Sequence, residues 1–428
     1  MDYVLFIIGI IMLVRNNMPW TISIIIFLAS IYPQLGTLTG IPLLVGPKHD
    51  VADVGLLLYI IFFWKQVTNH GIYTKHPLKI PVVIFSLYLI LNGCIDICQG
   101  ILFGDVIRYL RKWIYLSLIF ISPCISRADT MKTIRIILGI MLIICITLSL
   151  QYCMGITLLG STRVYMFGEN VWIRGVRPPN YTIFCLAIVA LNLFNYSSKR
   201  RIIESLIFLA PILLALKMSY FTTILITLTI FYAIKKGLSQ NIKIVLTGVF
   251  LFSVLCSVFP VFESRLSDTV NQLSSNSKRN NKEGNFKYRI DYFAERFDYV
   301  MENPVRFIRG IGYVQEKNFH EKPFRLGQPS AITRKKAQLD TDDIAWTLLM
   351  LRLGMVGLAL YLCFYVSMLK TFYEQRKSHN MSLFLFAYFL AALLFWSIAE
   401  GTIANCEFFI LPLLFCAKNE DNTLYLEF

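Results

Sequence analysis

Charged side chains are scarce in this chain of 428 residues, at 16% of the total, whereas 56% of the residues are hydrophobic and the mean hydropathy is +0.60. Soluble domains carry about 25% charged and about 45–50% apolar residues. The shortage of charge therefore excludes a soluble globular domain and predicts a protein of the lipid bilayer. Because apolar runs recur over nearly the whole length, a single-span receptor and an anchored soluble enzyme are excluded as well.

Sequence signatures of nucleotide and metal chemistry are also missing. The chain has no glycine-rich phosphate loop ending in Lys-Ser or Lys-Thr and no His-Glu-x-x-His pair. Asp340-Thr341-Asp342 has an Asp-x-Asp spacing, but we interpret it as a chance match because a helix is expected to begin there. None of the ten cysteines lies in the one long polar segment, which excludes a disulfide framework or a thiolate metal site in it. We expect no metal and no cofactor.

The positions of the positive charges along the chain are more informative than their total. Lys and Arg number 41 against 26 Asp and Glu, a net charge of +15, and in a membrane protein this excess is first explained by cytoplasmic loops rather than by a nucleic-acid partner. Three clusters alternate with apolar runs so that all fall on one side, namely Lys199-Arg200-Arg201, Lys235-Lys236 with Lys243, and Lys370 to Lys377. The positive-inside rule makes that side the cytoplasm. Residues 160–179, residues 263–343 and the turn at Lys217 then lie on the outer face.

Apolar runs of near-spanning length predict an all-α membrane bundle of about twelve spans. We divide the chain into a first bundle segment (1–262), a large outer loop (263–343) and a last bundle segment (344–428), and the side on which the N-terminus lies stays open. The predicted runs are 3–14, 19–33, 51–64, 80–103, 106–123, 134–159, 180–196, 202–216, 219–234, 243–262, 344–369 and 383–399, with a short apolar segment at 406–417.

The outer loop has its own pattern. Apolar residues recur at three to four residues, namely Tyr288, Tyr292, Phe293, Phe297 and Val300-Met301, which predicts an amphipathic helix over 286–302. Asn303-Pro304 then stops it, because the residue before a proline avoids helical geometry. We therefore expect an ordered lid over the outer membrane face.

Ionisable groups at or near the outer ends of spans are the candidate site residues, because they are costly in a bilayer and are not topology signals. Most are cationic, and arginine pairs well with phosphate oxygens, so a diphosphate is the expected ligand. Each also has a structural interpretation: head-group anchoring for the arginines, helix capping for the aspartates. The candidates are Arg163, Arg174, Arg177, Lys217, Arg289, Asp340, Asp342, Asp343, Arg352 and Glu400.

Four strings follow one another along residues 160–415. They are an Arg-plus-Pro-Asn entry into a span, a polar turn between two short spans, a loop helix followed by Asn-Pro and Gly-x-Gly, and the start of the span after the loop. The strings are Arg174-Gly175-Val176-Arg177-Pro178-Pro179-Asn180, Leu216-Lys217-Met218-Ser219-Tyr220, Tyr288-Arg289 through Asn303-Pro304 to Arg309-Gly310-Ile311-Gly312-Tyr313, and Asp343-Ile344-Ala345-Trp346 to Leu353-Gly354-Met355-Val356-Gly357. In this order, they resemble the O-antigen polymerase and O-antigen ligase superfamily.

The resemblance implies a bundle like that of the GT-C glycosyltransferases in the bacterial inner membrane, with its active site on the periplasmic face. The implied enzyme polymerises undecaprenyl-diphosphate-linked oligosaccharide units into a surface polysaccharide of the O-antigen or lipopolysaccharide type, and its implied partners are those lipids and a chain-length-regulating co-polymerase. Arg289, Asp342 and Asp343 are the implied catalytic residues, the aspartates acting on the acceptor hydroxyl. The implied substrate-binding residues are Arg174, Arg177, Lys217 and Arg352.

Two alternatives stay open. An O-antigen ligase would use the same donor and a lipid A core acceptor, but ligases carry a His before the post-loop span, where this chain has Asp340, Asp342 and Asp343. A flippase for lipid-linked sugars would also need a basic cavity, although such transporters more often show two related halves. His320 and Glu400 are the reserve candidates for the acceptor role.

The topology can be tested directly. Cysteines introduced at Ser275 and at Gln240 are expected to react with a membrane-impermeant maleimide from opposite sides of the membrane, Ser275 from the outside, because the basic clusters fix the orientation of the second half. Labelling from the same side would contradict the assignment of the candidate residues to the outer face.

Overall fold

The computed structural model describes residues 2–35, 51–73, 75–154, 159, 178–215, 218–236, 285–321, 323–327, 338–339, 344–399 and 402–416. This part of the chain is helical and contains no strand, which confirms the predicted all-α class. The helices are α1 Asp2–Val14, α2 Met18–Ile26, α3 Tyr32–Leu35, α4 Val51–His70, α5 Lys79–Cys98, α6 Phe103–Leu110, α7 Arg127–Met154, α8 Tyr181–Ala190, α9 Ser198–Ala215, α10 Met218–Lys236, α11 Asn285–Met301, α12 Pro304–Arg309, α13 Ala345–Gln375, α14 Asn380–Ala391, α15 Ser397–Ala399 and α16 Ile410–Phe415.

Irregular helical segments join several of these elements. Short π-helices extend α2 and α14. A 3₁₀-helix directly follows α6, and two more lie between α15 and α16. The π-helices are Phe27–Ile31 and Ala392–Trp396, and the main 3₁₀-helices are Arg111–Phe120, Thr402–Ala404 and Cys406–Phe409.

Within the described residues, three helices, α5, α7 and α13, are long and apolar enough to cross a bilayer. Their length and composition indicate a membrane protein. Helices also occupy the other predicted apolar runs within the described residues, but several are short, and the run 243–262 lies outside the described part. The total of about twelve spans therefore stays a prediction.

The centre of the bundle is a cluster of aromatic rings around α13. Tyr361 lies with its ring centroid 6.0 Å from that of Phe85 and 6.2 Å from that of Trp113, and Phe409 lies 5.4 Å from Phe364. These side chains are almost completely buried. Edge-to-face pairs of this kind add to the dispersion energy of the core. These aromatic pairs join α5, the 3₁₀-helix after α6, α13 and the 3₁₀-helix Cys406–Phe409 into one core.

The outer loop contains the predicted amphipathic helix. It spans Asn285–Met301, and the chain turns at Asn303, whose side chain accepts hydrogen bonds from the backbone N–H groups of Val305 and Arg306 at 2.8 and 3.3 Å. Asn303 therefore caps α12, and Pro304 occupies the first helical position, where no N–H is needed. Both α11 and α12 pack on α13.

His76 is buried in the connection between α4 and α5, with only 4% of its surface exposed. Its Nδ1 accepts a hydrogen bond from the backbone N–H of Leu78 at 3.1 Å, so the ring is neutral. Burial lowers the pKa of His76 from 6.5 to about 4. Protonation in the unfolded chain therefore precedes protonation in the folded one as the pH falls.

This predicts an acid-dependent loss of stability. Neutral His76 costs the folded state nothing above pH 6.5, but the free energy of unfolding decreases as the pH falls from 6.5 towards 4. The decrease is about 2 kcal/mol at pH 5. His76→Asn keeps an acceptor for the N–H of Leu78, so the variant is expected to lose less stability between pH 7 and pH 5 in thermal unfolding of the detergent-solubilised chain. His70→Asn, at the exposed end of α4, is the control and should follow the unmodified protein. Equal pH dependence in all three would refute the prediction.

Candidate functional site

The outer loop is held on the bundle by a buried ion pair. Arg309, at the end of α12, pairs with Asp96 near the end of α5, and its second Nη donates to Gln99 Oε1 at 2.8 Å. Asp96 also accepts the backbone N–H of Tyr313 at 2.7 Å, and its side chain is fully buried. Burial lowers the pKa of Arg309, an effect that nearby Tyr88 and Tyr313 oppose. A fixed carboxylate of α5 thus sets the position of the loop backbone.

Three glycines allow the backbones to approach. Gly310, Gly312 and Gly354 have φ of +71°, +78° and +67°, a region that L-residues with a side chain rarely adopt. A Cβ added to Gly312 would lie 2.3 Å from Asp96 Oδ1, and one added to Gly310 would lie 2.5 Å from the carbonyl oxygen of Leu351. These positions therefore need glycine for two reasons, the backbone angle and the space.

Gly354 explains a kink in α13. Its positive φ interrupts the helix, and a Cβ there would lie 2.5 Å from the carbonyl oxygen of Ile308. The carbonyl of Leu351, which lies on the same side, accepts the N–H of Ile311 at 2.9 Å. The kinked start of α13 and the Gly-x-Gly turn of the loop therefore form one unit.

Polar side chains of α5 satisfy the loop carbonyls that the turn leaves open. Tyr88 donates its hydroxyl to Ile308 O at 2.9 Å and contacts Leu353 O, and Asn92 donates to Arg309 O at 3.3 Å. Buried carbonyls without a partner are costly, so these contacts stabilise the seated loop. We call Tyr88, Asn92, Asp96 and Arg309 the loop-docking cluster.

A second attachment lies at α6. Asp105 accepts the backbone N–H of Gln315 at 3.1 Å and the side-chain N–H of Asn318 at 2.5 Å, and Arg108 donates to Gln315 Oε1 at 3.1 Å. Glu316 in turn accepts the backbone N–H groups of Gln338 and Leu339 at 2.7 and 2.6 Å. The end of the loop is thereby tied to its middle.

Arg296 of α11 has a side chain that is fully inaccessible to solvent. Its guanidinium lies over the rings of Tyr292 and Phe324, at 3.4 and 4.2 Å from their centroids. It donates to Glu295 Oε2 at 2.6 Å and to Leu326 O at 2.5 Å. Burial lowers the pKa of Arg296, and Tyr292 and Glu295 partly offset this effect. These contacts fasten the later part of the loop to α11.

Arg289 lies on the same face of α11 as Arg296, because a separation of seven residues is close to two helical turns. Its side chain is half-buried, and its Nε is inaccessible to solvent. The face that holds Arg296 contacts the later part of the loop, at Phe324 and Leu326, and Arg289 lies on the same face. Its predicted role in diphosphate binding stays a prediction.

A further set of contacts joins the segments that follow three predicted site residues. Asn180 donates from Nδ2 to Thr402 Oγ1 at 2.7 Å. The Tyr220 hydroxyl lies 3.3 Å from Asn180 Oδ1 and 3.4 Å from Pro178 O, as a donor to either. We call Pro178, Asn180, Tyr220 and Thr402 the span-end cluster.

The span-end cluster adjoins the candidates in sequence. Arg177 directly precedes Pro178, Lys217 precedes Tyr220 by three residues, and Glu400 precedes Thr402 by two. Contacts between residues as far as 222 positions apart bring together the beginnings of α8 and α10 and the segment after α15. The three segments meet, although the three ionisable residues themselves lie outside the described part of the chain.

Of the other predicted residues, Arg352 is 5% exposed and donates to the backbone carbonyl of Val314, which ties it to the loop. This contact fits a positioning role; binding of substrate by Arg352 stays a prediction. His320 is exposed. The rest of the assigned set lies outside the described residues, namely Arg174, Arg177, Lys217, Asp342 and Asp343.

Sequence reasoning missed Asp96, Arg309 and Arg296. A signal for Asp96 was present, because it is the sole charged residue of the apolar run 80–103, and a carboxylate in such a run needs a partner. Nothing in the sequence links Asp96 to its partner, which lies 213 residues away. No protein-family model matches the chain, and a search of curated proteins finds no significant match.

Replacement of Gly312 by Ala is expected to release the loop, because the new Cβ would overlap the carboxylate of Asp96. Gly71→Ala is the matched control: Gly71 has a φ of +75°, but a Cβ there meets nothing within 4 Å. Both variants carry the backbone strain of about 1 kcal/mol. Gly312→Ala alone should increase protease cleavage within 304–318 and lower the thermal stability further, and equal behaviour of the two would contradict this account of the seating.

Proposed function

We propose that the protein is a membrane glycosyltransferase that polymerises undecaprenyl-diphosphate-linked oligosaccharide units into a bacterial surface polysaccharide. The observation that carries the proposal is the meeting of three span ends in the span-end cluster, each next to a candidate ionisable residue. The packing of α11 on α13 supports it, since α11 carries Arg289 with a half-buried side chain.

In the proposed reaction, a hydroxyl of the acceptor unit attacks the anomeric carbon of the donor glycan. A glycosidic bond forms, the bond between that carbon and the diphosphate oxygen breaks, and undecaprenyl diphosphate leaves with the bonding electron pair. Asp342 or Asp343 accepts the proton of the acceptor hydroxyl. Arg174, Lys217 and Arg289, with Arg177, stabilise the charge on the departing diphosphate.

The proposed reaction requires the loop to be held rigidly. Cations stabilise a leaving group best when they are already oriented, because no energy is then spent on reorganisation during the reaction. The loop-docking cluster and Arg296 supply such rigidity to α12 and to the later part of the loop. The described contacts therefore support a preorganised loop rather than a mobile cover.

The direct experiment is synthesis. Purified full-length protein in detergent, incubated with a lipid-linked repeat unit, is expected to produce a ladder of longer glycans on the lipid. Arg289→Lys keeps the charge but loses the planar fork, so polymer formation should fall by at least tenfold at matched protein levels. The readout is the ladder, together with the amount of undecaprenyl diphosphate released.

Arg306→Lys is the matched control. Arg306 is also a loop arginine, but it lies over the ring of Tyr299 at 3.7 Å and faces Glu302 at 3.9 Å, so its replacement should leave polymer formation nearly unchanged. Full activity of Arg289→Lys would make Arg289 a head-group anchor. Transfer to a lipid A core acceptor without a ladder would indicate the ligase, and movement of the lipid-linked unit across vesicles without bond formation would indicate a flippase.

A further inference from the structure

A cavity at the opposite end of the bundle is lined largely by polar and basic side chains. It is an open cavity of about 570 Å³ between the turn that joins α1 to α2 and the first turns of α7. The turn contributes Arg15, Asn16, Asn17, Pro19 and Trp20, and α7 contributes Asp129, Lys132, Arg135 and Ile136. Three cations thus face the same space.

The carboxylate of the cavity does not cancel this charge. Asp129 lies three residues after Ser126 at the start of α7; its Oδ2 accepts the Ser126 hydroxyl at 2.7 Å, and its own N–H donates to Ser126 Oγ at 3.0 Å. This is a capping arrangement at a helix N-terminus, and the carboxylate supplies one negative charge against the three cations of the lining. Within the described residues, neither Arg15 nor Lys132 has a carboxylate within 4 Å of its charged group. The cavity keeps an excess of positive charge.

The walls of the cavity are fixed. Ser23 and Thr133 both place their hydroxyls on the carbonyl oxygen of Pro19, at 2.7 and 3.4 Å, which holds α2 against α7. Lys65 of α4 donates to Leu13 O and to Asn16 Oδ1 at 2.5 and 2.7 Å, which closes the turn. Asn16 itself has a φ of +55°. The backbone segments that carry the cations are therefore held in fixed positions.

The surroundings place the cavity at a membrane surface. Arg135 lies over the ring of Phe194 at 5.0 Å, Phe194 stacks with Tyr196 at 5.9 Å, and Arg200 lies over Tyr196 at 4.1 Å. The cavity is thus continuous with the basic cluster at Lys199-Arg200-Arg201, which the sequence places on the cytoplasmic side. Trp20, at the rim, is 44% exposed, and tryptophan favours the level of the lipid head groups.

We propose that this cavity binds a phosphate-bearing anionic head group of a lipid in the cytoplasmic leaflet, with Arg15, Lys132 and Arg135 on the phosphate oxygens. The cytoplasmic leaflet is rich in anionic lipids, which attract basic side chains at the surface. Arg presents a fork to the phosphate and Lys a point charge. The site is at the other end of the bundle from the proposed transferase site and does not depend on it.

The test is the thermal stability of the purified full-length chain in neutral detergent, titrated with dioleoylphosphatidylglycerol or dioleoylphosphatidylcholine. A ligand that binds the folded state raises the unfolding temperature in a saturable manner. We expect a saturable rise with phosphatidylglycerol and none with phosphatidylcholine. Arg15→Gln combined with Lys132→Gln should weaken the apparent affinity by at least tenfold.

The control carries Lys199→Gln and Arg201→Gln, which remove two cations from the same end of the bundle but outside the cavity, and should retain the affinity. If the double variant in the cavity does not fold, Arg135→Lys, which keeps the charge but loses the fork, should still weaken binding. A parallel titration with inorganic phosphate distinguishes a lipid head group from free phosphate. If phosphate raised the unfolding temperature as much as phosphatidylglycerol and competed with it, the site would be assigned to free phosphate. An equal response to both lipids, or an unchanged affinity in the cavity variants, would overturn the proposal.

Discussion

The structure depends on the pairing of Asp96 with Arg309. A carboxylate inside an apolar helix is costly unless a cation and further hydrogen bonds accompany it, and removal of one partner from a buried pair typically costs about 3–5 kcal/mol. Asp96 receives both, from the guanidinium and from the N–H of Tyr313. The pair fixes the end of α12 on α5, and through Gly310 and Gly354 it fixes the kinked start of α13.

Local sequence features predicted the loop helix well, because its determinants are local. Tyr292 and Phe297 set the amphipathic face, and Asn303-Pro304 sets the end, so α11 lies within one residue of the predicted range at each end. The attachment of the loop could not be predicted in the same way. It rests on contacts such as Tyr88 to Ile308, 220 positions apart, whose partners carry no pattern that selects them.

The candidate site shows the same division. The polar span ends were identified from the cost of ionisable groups in a bilayer, and their neighbours Asn180, Tyr220 and Thr402 meet in the fold. The sequence of the loop, in contrast, could not show whether Arg289 or Arg296 has a structural role, because both lie on one face of α11. Burial separates them: Arg296 is enclosed by aromatic rings and carbonyls, whereas Arg289 is half-buried. Which cation is structural is therefore decided by tertiary packing.

The two ends of the bundle use positive charge in opposite ways. At the loop end, Arg309 and Arg296 are desolvated and matched to carboxylates and carbonyls, so their charge holds the fold together. At the other end, Arg15 and Lys132 are exposed on a frame that Ser23 and Lys65 already fix, so their charge is not needed to close the structure. Charge that the fold does not use is available to a ligand, and this physical distinction favours a binding role for the cations of the cavity.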